Sequence, residues 1–286
     1  MEYETIRRYS TGPEILENGS VHFRIWAPNV RHVSVVLEGK QVRHSLDRDE
    51  DGYFSGIVPG ATAGDLYFLQ LDNDPKRYPE PTSRFQPNGP HGASQVIDHR
   101  AFRWTDHAWP GVPLNGQIIY EMHIGTFTQE GTWYAAAQEL PELAKLGITL
   151  IECMPIAEFP GAFGWGYDGV NLYAPMHIYG TPNDFRAFVN SAHELGIGVI
   201  LDVVYNHVGP DGDDMARFSS TFFSKQHKTD WGSAINYDGA GSTPVRRLVC
   251  ENAAYWIGEF HLDALLPAVI VNRCSARRCP AVRVAV

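Results

Sequence analysis

The chain has 286 residues, 44% hydrophobic and 20% charged, with 23 Lys and Arg against 33 Asp and Glu and a formal net charge of −10. These proportions exclude general disorder and allow one or two domains with a sizeable core. No run of 18 apolar residues offers a membrane-spanning helix, and the acidic balance disfavours nucleic acid as a partner. Four cysteines are too few for a disulfide scaffold, and the opening MEYETIRRYS has no apolar signal region, so a cytoplasmic setting is expected.

Residues 1–100 read as all-β. VHFRIWA (21–27), HVSVVLEG (32–39), DGYFSGIVPG (51–60) and GDLYFLQLD (64–72) alternate in part and are separated by turn residues, which suggests a small antiparallel sandwich. Residues 73–116 are rich in Pro, Gly and His without either period; they read as a connector laid over a surface, with residues 101–116 as the linker between domains.

From Gln117 the pattern becomes strand, helix, strand. QIIYEM (117–122) and ITLIECMP (148–155) read as the first two strands, IGVILDVV (197–204) as the third, and HLDALL (261–266) as the start of a fourth. Helices are expected over 132–147, over 183–196 with Asn183 or Asp184 as the cap, and over 243–260 with Pro244 in the first turn. This alternation predicts parallel βαβ units, and the apolar strands are those of a sheet covered on both faces. The loops after strands two and three run to about 25 and about 38 residues, and in a barrel of this type such loops lie at the C-terminal face and carry the chemistry.

The polar residues at these strand ends are Glu121, His123, Glu152, Asp202, Asn206 and His207, and the loop GWGYDGVNLYAP (164–175) adds Trp165, Tyr167, Asp168 and Tyr173. Aromatic planes beside carboxylates and histidines suit a sugar, whose rings have apolar C–H faces and hydroxyl rims. Each also has a structural reading: Asp202 as a strand-end cap, His207 as a satisfied loop histidine, Trp165 and Tyr167 as core lids. Glu152 and His123 read first as structural hydrogen-bonding groups. Gly164, Gly166 and Gly169 match G-x-G-x-x-G, but the run neither follows a strand nor opens a helix, so no dinucleotide cofactor is expected. Cys274-x4-Cys279 lacks a second ligand pair and Asp211–Asp214 is a poor calcium loop, so no metal is expected.

DVVYNH (202–207) resembles the first signature region of the α-amylase superfamily of glycoside hydrolases. Together with IYEMHIGTFTQEGTW (119–133), IECMPIAEFPGAFGWGYDGVNLYAP (151–175) and KTDWGSAINYDG (228–239), it is similar to the maltooligosyltrehalose trehalohydrolases over roughly residues 10–264. The resemblance implies an N-terminal immunoglobulin-like β-sandwich (1–100) followed by a (β/α)8 barrel, of which residues 117–264 supply about four βα units. It implies hydrolysis of the α-1,4 bond next to the terminal trehalose of a maltooligosyl trehalose. Tyr167 would stack on the sugar, Asp168 and His207 would bond its hydroxyls, Asp202 would brace the arginine that precedes the nucleophile, and Trp165 and His123 would complete the substrate-binding set.

The catalytic part departs from that pattern. Retaining glycosidases set two carboxyl groups roughly 5 to 5.5 Å apart. The stretch matching D-G-L-R-x-D-A-x-H is Asp263-Ala264-Leu265-Leu266-Pro267-Ala268, with Leu266 at the arginine position and Ala268 at the nucleophile position. No Asp or Glu follows Asp263, so the acid/base has no counterpart, and Asp263 itself falls at the start of its strand. Residues 265–286 hold four Arg and no Lys, Asp or Glu, an abrupt shift that fits out-of-frame translation; without them the charge is 19 minus 33, or −14. The expectation is a trehalohydrolase-type chain that is inactive alone, takes α-1,4-glucan or maltooligosyl trehalose as partner, and is weakly stable or self-associates through its open half-barrel. The alternatives are a non-catalytic α-glucan-binding protein and a relative of glycogen branching enzymes, the latter disfavoured by GTFTQEGT.

Overall fold

In the N-terminal third, residues 66–71 alternate between buried and half-buried while 33–37 are buried throughout, and two antiparallel sheets share one interior. The structure, a computed structural model, describes residues 7–40, 43–113 and 115–267. Its first strands are β1 (Gly12–Ile15), β2 (Val21–Trp26), β3 (Val33–Leu37), β4 (Arg43–Ser45), β5 (Asp47–Arg48), β6 (Tyr53–Ile57), β7 (Leu66–Leu71), β8 (Arg77–Tyr78) and β9 (Ser94–Gln95). One sheet has the order β1-β2-β6-β5 and the other β4-β3-β7-β8, with β9 also on β7. Phe23 and Ile25 of β2 meet Val35 of β3 and Tyr67 and Leu69 of β7 in one core, Phe23 edge-on to Tyr67 at 5.0 Å. The four strands expected from alternation are present; β1, β4, β5, β8 and β9 are only two to four residues long, too short to show a period.

Part of the expected surface connector is interior. Glu80, Ser83, Arg84, Phe85, Gln86 and Ser94 are buried. Their polarity imitates a loop, but its groups are satisfied inside: Glu80 accepts from the hydroxyls of Tyr67 and Thr82, and its N–H donates to Ser94 Oγ at 2.9 Å.

The remaining elements are β10 (Ile119–Met122), α1 (Ile124–Phe127), α2 (Trp133–Lys145), β11 (Leu150–Cys153), β12 (Ala157–Glu158), β13 (Asn171–Pro175), α3 (Pro182–Glu194), β14 (Gly198–Val203), α4 (Met215–Phe218), β15 (Phe223–Thr229), β16 (Gly232–Ile235), α5 (Ser242–Phe260) and β17 (Ala264–Pro267). The parallel sheet runs β10-β11-β14-β17, each pair joined through a helical crossover as parallel strands require. In its register Glu121 pairs Glu152, Glu152 pairs Ile200, and Asp202 pairs Leu266. Met122, Ile151, Cys153, Val199 and Leu201 face the helices and pack with Trp133, Leu140, Phe185, Phe188 and Trp256. The opposite face does not match the expectation of a sheet covered on both sides: among the described residues it stays open, with Ile119 52% and Leu266 42% exposed.

Two local expectations are corrected. Thr181 is the N-cap of α3, its hydroxyl accepting from the Asp184 N–H while the Asp184 carboxylate accepts from the Thr181 N–H at 2.7 Å; Asn183 instead accepts from Arg186. The fourth strand begins at Ala264 rather than His261, because His261 ends α5 in the left-handed region (φ 52°) and turns the chain back toward the sheet. Ala268, Cys274 and Cys279 lie outside the described residues. No helix among the described residues is long and apolar enough to cross a membrane.

Arg84 joins the two parts. Its guanidinium is buried, with its carbon 4.2 Å from the Tyr173 ring centroid (β13), 4.6 Å from Tyr255 (α5) and 5.2 Å from Tyr9, and it donates to the Thr11 carbonyl at 2.8 Å. Replacing Arg84 with Ala removes a buried cation from three rings and leaves a void. We expect a loss of about 3 kcal/mol, read as a lower urea midpoint by circular dichroism.

Candidate functional site

The C-terminal ends of the parallel strands bring together groups from four segments. On β14, Asp202 is 6% exposed and its Oδ2 accepts from the Tyr167 hydroxyl at 2.9 Å, while its Oδ1 is buried without a hydrogen-bond partner. Burial pushes the Asp202 carboxyl up to about 6, the Tyr167 bond opposes this, and Glu152 and Glu121 push it further up. Glu152 and Glu121 stand side by side in the register; burial and the Glu121 charge raise Glu152. Glu152 is thus not the structural hydrogen-bonding group of the sequence expectation but part of a carboxylate-rich inner face.

Tyr167 and Asp168 are carried by the loop between β12 and β13, and packing shapes that loop. Gly166 has φ 87°, and a Cβ there would lie 1.9 Å from the Pro155 carbonyl oxygen; Cβ atoms on Gly164 and Gly169 would meet Phe159 and Ala157 at 2.9 Å. The glycine spacing that imitates a dinucleotide fingerprint therefore answers to close approach within this loop. Downstream, Asn171 donates to Gln86 Oε1 at 3.0 Å and Tyr173 lies under Arg84, so the buried 80–86 segment anchors the end of the site loop. Glu158 accepts from the His177 N–H at 3.0 Å and pairs with its Nδ1 at 2.9 Å, holding the other side of the hairpin.

His207 follows β14. Its Nδ1 is 3.1 Å from Asn206 Oδ1, it hydrogen-bonds the Tyr167 backbone, and burial lowers its pKa while the nearby Asp168 charge opposes that shift. At neutral pH the ring is therefore uncharged. A backbone bridge to Ala234 and the Ile235 N–H donating to the Asn206 carbonyl fix its segment against β16. The same long loop runs through α4, where Phe218 enters the sandwich core edge-on to Tyr78 at 6.2 Å.

Of the residues singled out from sequence, Tyr167, Asp168, Asp202 and His207 converge. Trp165 is 72% exposed on the same loop, which removes its reading as a core lid, and neighbouring Phe163 is 96% exposed. His123 bonds the same loop: its Nε2 is 2.8 Å from the Gly164 carbonyl and 3.2 Å from the Tyr179 hydroxyl, and its Nδ1 is 2.9 Å from Thr126 Oγ1. It braces the aromatic loop. Sequence reasoning missed Tyr179 and Gly209, whose Cβ would lie 2.1 Å from the Asp168 carbonyl oxygen. Neither carries a local signal, since each matters through a partner more than 40 residues away. Asp263 is committed elsewhere: it accepts from the Val199 N–H at 2.8 Å and from Trp109 Nε1 at 2.9 Å at the opposite end of the sheet.

Chemically, this arrangement offers a neutral imidazole, exposed aromatic rings and carboxylate oxygens in one place. It suits a polyhydroxylated ring better than an anion. Among the described residues, no group of His, Cys, Asp and Glu is arranged to hold a metal ion.

Comparison with known proteins bears on this site. The family model for the α-amylase catalytic domain matches residues 83–261, and that for carbohydrate-binding module 48, the isoamylase N-terminal domain, matches residues 10–79. The malto-oligosyltrehalose trehalohydrolase of Saccharolobus solfataricus is 47% identical over 87% of this chain and 44% of its own length; that of Deinococcus radiodurans is 42% identical over 85% and 39%. A 1,4-α-glucan branching enzyme of Pseudoalteromonas atlantica is 34% identical over 86% of the chain and 37% of its own length. The chain thus spans less than half the length of these curated relatives. The crystal structure of a protein described as an α-amylase from Salmonella typhimurium superposes with a TM-score of 0.89 at 42% identity, covering 95% of this chain and 46% of that one. A pullulanase from Paenibacillus barengoltzii shares the fold at 19% identity, with a TM-score of 0.77 over 92% of this chain and 49% of that one.

The raised Asp202 carboxyl has a measurable sign. The folded state holds the Asp202 proton up to about pH 6, so this group's contribution to stability is present below about pH 4 and lost as pH rises through 6. The loss amounts to about 3 kcal/mol at most, from a shift of roughly two units. Asp202→Asn should raise the thermal midpoint relative to the parent at pH 8 and leave it unchanged at pH 4.

Proposed function

This chain belongs to the α-amylase family, and from that premise we propose that it is the sugar-holding part of a glycoside hydrolase of the maltooligosyltrehalose trehalohydrolase type: it grips an α-1,4-glucan ending in trehalose and does not cleave it alone. The sandwich is the immunoglobulin-like carbohydrate-associated domain of such a chain, and the parallel sheet is the first half of its eight-stranded barrel. The observation that carries this reading is the convergence of Tyr167, Asp168, Asp202 and His207 at the C-terminal strand ends, the end at which barrels of this type place substrate. The Tyr167 hydroxyl is committed to Asp202, which orients the ring to cover an apolar sugar face, and Asp168 and His207 have polar atoms for the hydroxyl rim.

Cleavage needs an attacking carboxylate and a matched acid. The nucleophile position implied by the family pattern is Ala268, and a methyl group has no lone pair with which to attack an anomeric carbon. Asp202 and Asp168 are substrate contacts in this reading, and Asp263 is held at the far end of the sheet. The buried, unpartnered Oδ1 of Asp202 supports this reading, since Asp202 pairs in register with Leu266, the residue at the family's arginine position.

Incubating the purified chain with maltooligosyl trehalose should release no trehalose; turnover abolished by Asp202→Ala overturns the inactivity. Maltoheptaose should change tryptophan emission, and Tyr167→Ala should weaken that binding about tenfold, the scale of one lost stacking contact. A titration unmoved by Tyr167→Ala moves the sugar to the sandwich. Leu266→Arg places a guanidinium beside Asp202 and should return its carboxyl from about 6 to the ordinary range, followed by carboxyl NMR or by recovery of stability at pH 8.

A further inference from the structure

At the base of the parallel sheet, opposite the sugar-binding end, two histidines, two aspartates and two tryptophans form a closed cluster that the proposed function does not use. His193 of α3 points one ring nitrogen at each of two carboxylates: Nδ1 lies 2.9 Å from Asp106 Oδ2 and Nε2 lies 3.3 Å from Asp263 Oδ2. Asp106 Oδ2 also meets His261 Nδ1 at 2.8 Å. The Trp109 ring stacks on His193 at 4.6 Å and 10°, and the Trp104 ring stacks on His261 at 3.7 Å and 13°. Trp104, Asp106 and Trp109 all belong to the segment that runs from the sandwich to β10. The groups facing His193 are therefore Asp106 from that segment, Asp263 from the start of β17 and His261 from the end of α5. Glu194 of α3 itself is occupied by the Thr105 hydroxyl at 2.6 Å, and Arg103 and His107 of the segment are exposed.

A neutral imidazole has one N–H and one lone pair. With a carboxylate at both nitrogens of a buried ring, only the doubly protonated form satisfies both contacts. His261 ends α5, and its left-handed backbone swings the ring over Trp104 while its Nδ1 meets Asp106.

We propose that this cluster is a proton-dependent clasp, fastening residues 102–113 across the base of the sheet while His193 carries both ring protons and letting that segment lift when one proton passes to solvent. The proton lost leaves a lone pair facing an aspartate. Burial lowers the His193 pKa, and its bonds to Asp263 and Asp106 outweigh that and raise it above 6.5; Asp106, raised by burial, is held below 3.8 by His261 and His193. The clasp therefore holds at pH 5 to 6 and weakens as pH rises through the raised histidine value.

Hydrogen–deuterium exchange on the full chain, corrected for the intrinsic pH dependence of exchange, tests it. Between the ordinary histidine pKa of about 6.5 and the raised folded value, the opening equilibrium of residues 102–113 should grow by up to about tenfold per pH unit, the linkage slope for one proton, and level off above it, while β2 and β7 stay unchanged. Tryptophan emission should titrate over the same range, because a stacked imidazolium quenches indole. His193→Gln should flatten both curves. Segment exchange independent of pH between 6 and 9, or a slope that survives in His193→Gln, overturns the clasp. The parent chain alone decides the matter if that variant does not fold.

Discussion

A buried cation holds the seam between the sandwich and the βα units. Arg84 lies against Tyr9, Tyr173 and Tyr255, three rings from three distant stretches of chain, with one carbonyl as its hydrogen-bond acceptor. A charge removed from water without a paired carboxylate is costly, and ring quadrupoles on several sides offset that cost only while all of them stay in place. Tyr173 lies in β13, directly after the loop that carries Tyr167 and Asp168, so the packing of the two parts also fixes where that loop ends. Tyr9 and Ser10 extend the same seam along α5 through Glu259 and Glu251.

The parallel sheet is asymmetric in a way that bears on function. Its helix-facing side is a dense apolar core. Its other side mixes Ile119, Ile200 and Leu266 with Glu121, Glu152 and Asp202. The Glu121 charge raises Glu152, both charges push Asp202 further up, and Asp202 Oδ1 is buried without a hydrogen-bond partner.

The two ends of the sheet differ in how far their polar groups are satisfied. At the base, Asp263 accepts from a backbone N–H and an indole and meets an imidazole, and Asp106 holds two histidines. Saturated groups of that kind contribute stability. At the other end, Trp165 is exposed and Asp202 Oδ1 is buried without a hydrogen-bond partner. This division, with stability at the strand starts and chemistry at the strand ends, is the one expected of βα barrels.

Sequence alone determined the order of sandwich and βα units and the strands near 119, 150, 198 and 264, and it singled out Tyr167, Asp168, Asp202 and His207, which meet at the strand ends, because periodicity and strand-end position are local and survive in one dimension. It also placed Asp263 away from the chemistry. Tertiary structure decided the rest. Polar residues 80–86 looked like surface loop and are interior, since burial of a polar group depends on partners such as Tyr67 and Ser94 that no local window contains. The partner of His123, the Gly164 carbonyl, and the stacking of His261 on a tryptophan some 150 residues away after a left-handed turn likewise appear only in the folded chain. Whether a carboxylate is satisfied or left open is a property of its neighbours in space, and those neighbours are chosen only when the chain folds.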